Sequence, residues 1–105
     1  MYARVTLVEL DPMRMSVSDA VQRFKATVLP ELEQQRGYEG AYALATPEGK
    51  AMVITLWSTR DIAEANITSG YYEGQLAKFG TVFRSPPGRE LYDVVLAHVP
   101  ALALG

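Results

Sequence analysis

Apolar and polar residues alternate in the first stretch of the chain, residues 2–10, as they do in half-buried β-strands. Ala3, Val5 and Leu7 share one face of this predicted strand. The other face is mixed, because it places Arg4 among apolar neighbours. The pattern predicts a strand with one apolar face and one face that mixes polar and apolar side chains.

A helical pattern follows, in which Val21, Phe24, Val28 and Leu32 recur at steps of three and four residues. Ser16, with Asp19 three residues later, resembles a capping box at the start of this helix. Pro30 falls inside the pattern and is expected to kink the helix or divide it, since proline cannot donate a backbone hydrogen bond.

Gly37 is expected to end this helical region, and residues 38–45 and 50–57 then predict a β-hairpin across the turn "TPEGK". The run "RELYDVVLAHV", residues 89–99, predicts the last strand.

A second helical region lies between the hairpin and the last strand. Ser58 is the expected N-cap, with Asp61 in the reciprocal position, and Gly70 interrupts the helix. One side of the first piece carries Ile62, Ala65, Asn66 and Ser69, and the stripe of the second piece carries Tyr72, Leu76, Phe79 and Phe83.

The resulting order is β-α-β-β-α-β, which predicts an α+β, ferredoxin-like domain with a four-stranded antiparallel sheet and both helical regions on one face. Residues 1–105 are expected to form this single domain, with 100–105 as a frayed tail. The other face of the sheet would expose an apolar surface that includes Tyr42, together with either Tyr2 and Val8 or their neighbours of opposite parity. Face-to-face pairing of two sheets would remove that surface, so a homodimer is expected.

Charge and composition narrow the partners. Ten basic and twelve acidic residues without a cluster of either give no electrostatic footprint for nucleic acid or an anionic membrane. The chain has no cysteine, which excludes thiol nucleophiles and cysteine-based metal sites, and a single His favours no metal site. Charged residues interrupt the first fifteen positions, and no run is long enough to span a membrane. A cytoplasmic protein is expected.

Two stretches carry a resemblance to a known family: "VLPELEQQRGYEGAY", with its Gly-aromatic-x-Gly strand start, and "MVITLWSTRDIAEA", with its strand-ending Trp. Over nearly its whole length the chain resembles the antibiotic biosynthesis monooxygenase family of dimeric α/β-barrel proteins. The resemblance implies a pocket between sheet and helices. It argues against the haem-degrading branch, because Thr6, Asn66 and Leu76 stand where that branch has an Asn, a second Trp and an iron-ligating His.

The cofactor-independent branch fits better, since there an electron-rich phenol reduces dioxygen itself and needs no haem, flavin or metal. The resemblance then implies Asn66, Trp57 and Tyr72 as catalytic residues, and the expected substrate-binding residues are Phe24, Tyr71, Phe79 and Phe83. The alternative is a non-catalytic ligand-binding or stress-related barrel in which these residues only pack.

Several of these residues have competing interpretations. Asn66 could donate a hydrogen bond into the pocket or cap the helix break before Gly70. Arg4 is expected to pair across the dimer with Asp93 or Glu9, although lining the interior is the other possibility. His98, in the last predicted strand, is expected to be a structural or dimer-contact residue.

Overall fold

The computed structural model describes residues 1–100, so the expected tail lies, except for Pro100, outside the described residues. The strands are β1 (Tyr2–Glu9), β2 (Tyr38–Ala45), β3 (Lys50–Trp57) and β4 (Gly88–Asp93). The helices are α1 (Val17–Arg23), α2 (Leu29–Glu33), α3 (Arg60–Thr68) and α4 (Tyr71–Ala77), and a π-helical turn, Phe24–Val28, joins α1 to α2.

The four strands form one antiparallel sheet in the order β2-β3-β1-β4. β1 is central because it pairs with β3 on one side and with β4 on the other. This strand order and the β-α-β-β-α-β sequence of elements are those of the ferredoxin-like plan. The predicted α+β fold class is confirmed.

The helices cover the face of β1 that combines Arg4 and Thr6 with apolar residues. Arg4 hydrogen-bonds to Asn66 on α3, and Thr6 hydrogen-bonds to Tyr72 on α4. The prediction that Arg4 pairs across a dimer with Asp93 or Glu9 is therefore wrong, because its side chain points under the helices and is 3% exposed.

The opposite face of the sheet is open. Because side chains alternate along a strand, the pairing register places the odd-numbered residues of β1 on this face with the even-numbered residues of β3, of β4 and of β2 from Gly40 onward. Tyr42, Leu44 and Tyr92 are exposed by 40%, 51% and 50% there. The open apolar face thus includes Tyr42, as expected, while Tyr2 and Val8 face the helices.

Pro30 has the expected dividing effect. The backbone N–H of Leu29 donates to the carbonyl of Phe24, five residues back, so the turn before Pro30 is wider than an α-helical turn. A proline ring clashes with the carbonyl four residues earlier, and widening the preceding turn relieves that clash. Phe24 and Val28, at the two ends of this turn, both point towards the core region.

The loop between α2 and β2 requires a glycine at one position. Gly37 has a φ of +76°, and an added Cβ would lie 2.8 Å from Ser58 Oγ and 2.9 Å from the Ile62 side chain. The loop therefore packs directly against the start of α3.

The N-cap of α3 is Thr59 rather than the predicted Ser58. Thr59 is extended, with φ −139° and ψ 160°, and its hydroxyl accepts a hydrogen bond from the Ile62 N–H at 3.2 Å. Ser58 instead donates its backbone N–H to the Gly37 carbonyl at 2.9 Å, which keeps it in the strand-end geometry. The buried side of α3 consists of Ala63 and Asn66, whereas the predicted member Ala65 is exposed.

The last strand is shorter than predicted because its partner ends. β4 pairs with β1 as far as Asp93 opposite Tyr2, and one further backbone hydrogen bond runs from Val94 N–H to the Met1 carbonyl. Beyond that point no residue of β1 remains to pair. His98 therefore lies exposed in an irregular segment and not in a strand.

The helices of residues 1–100 include none that is long and apolar enough to cross a membrane.

We predict that Thr59→Ala lowers the free energy of unfolding by about 0.5–2 kcal/mol, since it removes the side-chain acceptor at the start of α3. Ser58→Ala is the matched control and should change stability by less than about 0.5 kcal/mol. Urea denaturation of both variants measures the difference. Equal losses for the two variants would contradict the assignment of the cap to Thr59.

Candidate functional site

A cavity of about 140 Å³ lies between the helices and the covered face of the sheet. Its sheet wall is built in part from Ala43, Ala45 and Ala51, whose small side chains leave space that the helices do not fill. The volume is close to that of an engineered cavity that binds benzene and smaller than most drug-sized ligand sites. The cavity is open beside Val21, which is 40% exposed, and along β2, where the lining residues Ala43 and Ala45 are exposed, so a longer ligand could extend to solvent there.

Most of the cavity wall is apolar. Three of the four predicted substrate-binding residues, Phe24, Phe79 and Phe83, line it. The rings of Phe79 and Phe83 stack with centroids 6.1 Å apart and planes inclined by 16°. These flat, apolar walls suit a planar aromatic ligand better than a polar one.

Arg4 supplies a positive charge at the cavity wall. Its guanidinium lies between two aromatic rings, 5.1 Å from the ring centroid of Trp57 and 4.5 Å from that of Tyr72. Burial lowers the pKa of Arg4 to about 10, against the opposing influence of Tyr72 and Tyr71, so the group remains a cation at neutral pH. Such stacking on aromatic faces stabilises a guanidinium that has lost its water.

Asn66 holds Arg4 in place. Its Oδ1 accepts a hydrogen bond from Arg4 Nη1 at 2.6 Å, and its Nδ2 donates to Gln35 Oε1 at 3.3 Å. The side chain is 7% exposed and does not line the cavity. It also does not cap the helix break, where Ser69 Oγ bonds the backbone of Asn66 and Tyr71. Neither sequence interpretation describes this contact, in which the amide orients a cation.

Tyr72 is the predicted catalytic residue that does line the cavity. Its hydroxyl shares a 2.9 Å hydrogen bond with Thr6 Oγ1, and either oxygen can be the donor. Arg89 also lies over the Tyr72 ring, with its guanidinium carbon 5.3 Å from the ring centroid. Two cations, Arg4 and Arg89, therefore lie near one phenol ring.

Trp57 is fully buried behind Arg4 and does not line the cavity. Its indole N–H donates to Thr55 Oγ1 at 2.9 Å, and its ring meets Tyr38 edge-on at 5.9 Å. The indole donor is thus already satisfied within the protein.

Tyr71 points away from Tyr72, as expected for neighbours on a helix, and packs against the cluster that includes Trp57 and Leu32. It does not line the cavity, in contrast to its predicted substrate-binding role. Desolvation raises the pKa of Tyr71 to about 12, with a smaller contribution from Glu31, and its buried hydroxyl has no partner among the described residues.

Arg4, Thr6 and Gln75 also line the cavity. The sequence did not single out Thr6 or Gln75, and for Arg4 it offered the interior only as the second possibility. Gln75 donates to Glu31 at 2.6 Å, while its Oε1 is buried without a partner among residues 1–100. The one available signal was the mixed face of residues 2–10, in which a charged and a hydroxyl residue share a face with apolar neighbours. The described residues contain no group of three His, Asp or Glu placed to hold a metal ion.

Solved structures with this fold share little sequence with the chain. A protein of unknown function, NE2512 of Nitrosomonas europaea, is 22% identical with a TM-score of 0.72, over 95% of this chain and 94% of its own. The monooxygenase from the ActVA-Orf6 gene of Streptomyces coelicolor, solved with nanaomycin D, is 17% identical with a TM-score of 0.70, over 95% and 92%.

SnoaB, a cofactor-independent oxygenase of Streptomyces nogalater, is 9% identical with a TM-score of 0.70, over 91% of this chain and 94% of its own. No protein-family model matches the chain, and no curated protein sequence matches it. The chain therefore has the fold of the antibiotic biosynthesis monooxygenases, as the sequence resemblance predicts. At these identities the structural similarity establishes the fold alone. Monooxygenases are among the proteins that share this fold.

We predict that Asn66→Ala lowers the free energy of unfolding by about 1.5–3 kcal/mol, because it removes the hydrogen-bond acceptor of a buried cation. Gln35→Ala is the control, since it removes only the 3.3 Å contact to Asn66 and should cost less than Asn66→Ala. Denaturant unfolding compares the two, and a larger loss for Gln35→Ala would contradict the orienting role of Asn66.

Proposed function

We propose that the chain is a small cofactor-independent monooxygenase that oxidises an aromatic or quinone-like molecule in this cavity. The observation that carries the proposal is an apolar, aromatic-walled cavity with a buried cation and a hydroxyl pair, Thr6 and Tyr72, on one wall. A phenol could lie against the apolar walls with its oxygen at this polar end. The shared fold with SnoaB and the ActVA-Orf6 monooxygenase supports the same reaction class.

The proposed reaction needs only the substrate and dioxygen. A phenol loses its proton, the resulting carbanion adds dioxygen at a ring carbon, and the hydroperoxide loses water to leave a quinone. One oxygen atom enters the product and the other leaves as water, so no external reductant is required. A cation near the phenolate oxygen favours the first step, because it stabilises the charge that forms there.

The predicted catalytic residues take distinct parts in this proposal. Tyr72 lines the cavity, and in this proposal its hydroxyl, which is hydrogen-bonded to Thr6, contacts a substrate oxygen. Asn66 and Trp57 act through Arg4. Asn66 orients the guanidinium by a hydrogen bond, and the Trp57 ring packs against it. Phe24, Phe79 and Phe83 hold the apolar part of the substrate.

A non-catalytic ligand-binding protein is the second candidate, and one observation favours it. The Trp57 indole and the Asn66 amide form their hydrogen bonds with other protein side chains, as purely structural groups do. In that case the cavity would bind its ligand without turning it over. The cysteine-free sequence suits the cytoplasm, which we keep as the proposed location for either candidate.

We predict that the protein consumes dioxygen with 1-naphthol or anthrone and puts one atom of isotopically labelled dioxygen into the quinone. Ala43→Leu should lower the rate about tenfold or more, because an isobutyl group projects into the cavity. Lys25→Leu adds the same group to an exposed helical position outside the cavity wall and should leave the rate unchanged. Uptake no faster than the spontaneous reaction, with binding retained, would favour the non-catalytic candidate.

A homodimer through the open sheet face is the other part of the proposal. The surface that a partner would cover contains these apolar residues: Leu7, Tyr42, Leu44, Met52, Ile54, Leu56 and Tyr92. The segment after β4 adds Val95, Leu96 and Val99, which are exposed by 93%, 84% and 62%. Apolar side chains on this scale are rarely left in contact with water by a monomer.

We predict a dimer at micromolar concentration that buries roughly 1,200–2,000 Å² in total, the usual size of a stable interface. Ile54→Lys places a charge in the middle of the open face, opposite Val5 on one side and Tyr42 on the other, and should yield monomers. Sedimentation velocity measures both states. Lys25→Glu, on the helical side, should remain dimeric, and a monomeric unsubstituted protein would refute the interface.

A further inference from the structure

The cation at the cavity wall has hydrogen-bonding capacity that the protein does not use. A guanidinium has five N–H donors, and Arg4 makes one hydrogen bond among the described residues, from Nη1 to Asn66. Its Nε is buried and has no partner within residues 1–100. Arg4 is nevertheless only 3% exposed, so bulk water does not compensate for the missing partners.

The charge of Arg4 is also unmatched. Buried arginines normally pair with a carboxylate, but none of the ion pairs formed by the described residues includes Arg4. The neighbours that face it include the rings of Trp57 and Tyr72 and the neutral amide of Asn66, and the Tyr71 phenol is close enough to raise its pKa. Arg89, near the same Tyr72 ring, adds a second positive charge.

An anion that pairs with Arg4 could lie in the cavity, because Arg4 lines the cavity together with Thr6, Thr55 and Tyr72. The hydroxyls of Thr6 and Tyr72 share one hydrogen bond, so a donor from this pair remains for a third oxygen. An oxyanion at this end would receive charge-assisted hydrogen bonds in surroundings that water screens poorly.

We propose that Arg4 is the receptor for an oxyanion that the ligand already carries when it binds. The ligand is a planar apolar molecule with one ionised oxygen group, an enolate or a carboxylate, seated against Arg4 while its ring system lies along the phenylalanines. This inference rests on the proposed function only in taking the cavity as the ligand site. It concerns binding of an existing anion, which is separate from any charge that forms during oxidation.

Calorimetric titration with two matched pairs of probes tests the inference at neutral pH. The first pair is lawsone, a naphthoquinone with an ionised enol, and its uncharged methyl ether. The second pair is 2-naphthoate and its uncharged methyl ester. We expect the anion of at least one pair to bind about ten- to a hundredfold more tightly than its neutral partner, the range expected for hydrogen bonds to a charged group. The pair with the larger ratio identifies the enolate or the carboxylate as the preferred group.

Variants assign the preference to Arg4. Arg4→Met should reduce the ratio to about one, while Arg4→Lys, which keeps the charge without the planar fork, should retain part of it. Arg60→Met is the matched control, because Arg60 also lies over a core ring, that of Tyr2 at 5.9 Å, but does not line the cavity. It should keep the full ratio. Thermal melting confirms that each titrated variant is folded, and if Arg4→Met is not, the Arg4→Lys ratio decides.

Three results would overturn the inference: equal affinities within both pairs for the unsubstituted protein, no binding of any probe, or a preference that survives in folded Arg4→Met. Equal affinities would mean that water satisfies Arg4. Anion preference without oxygen consumption would remove the proposed oxygenase activity and leave the receptor. Oxygen consumption without anion preference would do the reverse.

Discussion

The buried guanidinium of Arg4 connects parts of the structure that are distant in sequence. It extends from the central strand β1, lies between the rings of Trp57 on β3 and Tyr72 on α4, and bonds Asn66 on α3. Asn66 in turn donates a hydrogen bond to Gln35, just beyond α2, and this contact helps to orient its amide. One side chain therefore contacts the second helical region directly and the end of the first through Asn66 and Gln35, and its stacking and hydrogen bonding must offset the loss of hydration.

The alternation of side chains along β1 extends this constraint to the rest of the fold. Once Arg4 points under the helices, Thr6 must point there too, and Val5 must point to the open face. The cavity and the apolar outer surface are thus opposite sides of one strand. A register slip of one residue would bury Val5 in the cavity and place the charge of Arg4 on the surface proposed to pair with a second copy.

The sequence was sufficient for features that depend on local chemistry. Residues 38–57 contain their own turn, and Pro30 disturbs a helix wherever it lies, so the hairpin and the divided helix could be predicted. The role of Arg4 could not, because the parity that faces the helices follows from contacts with α3 and α4, which are more than fifty residues away. The end of β4 likewise depends on where β1 begins. The cap of α3 lies one residue later than predicted because both Ser58 and Thr59 are suitable cap residues. The backbone hydrogen bond from Ser58 to Gly37 holds Ser58 at the strand end and leaves the cap to Thr59.

The incomplete bonding of Arg4 separates the needs of the fold from those of a site. A cation satisfied by an internal carboxylate would stabilise the protein and would be indifferent to what enters the cavity. Among residues 1–100, Arg4 contacts an amide and two rings, which hold it in one orientation but leave donors without partners. Such an arrangement sacrifices stability in the empty protein and gives a ligand anion a larger gain on binding, which is the usual relation between strain at a site and function. In the proposed site, Asn66 and Trp57 would affect ligand binding without touching the ligand, because they orient the Arg4 guanidinium.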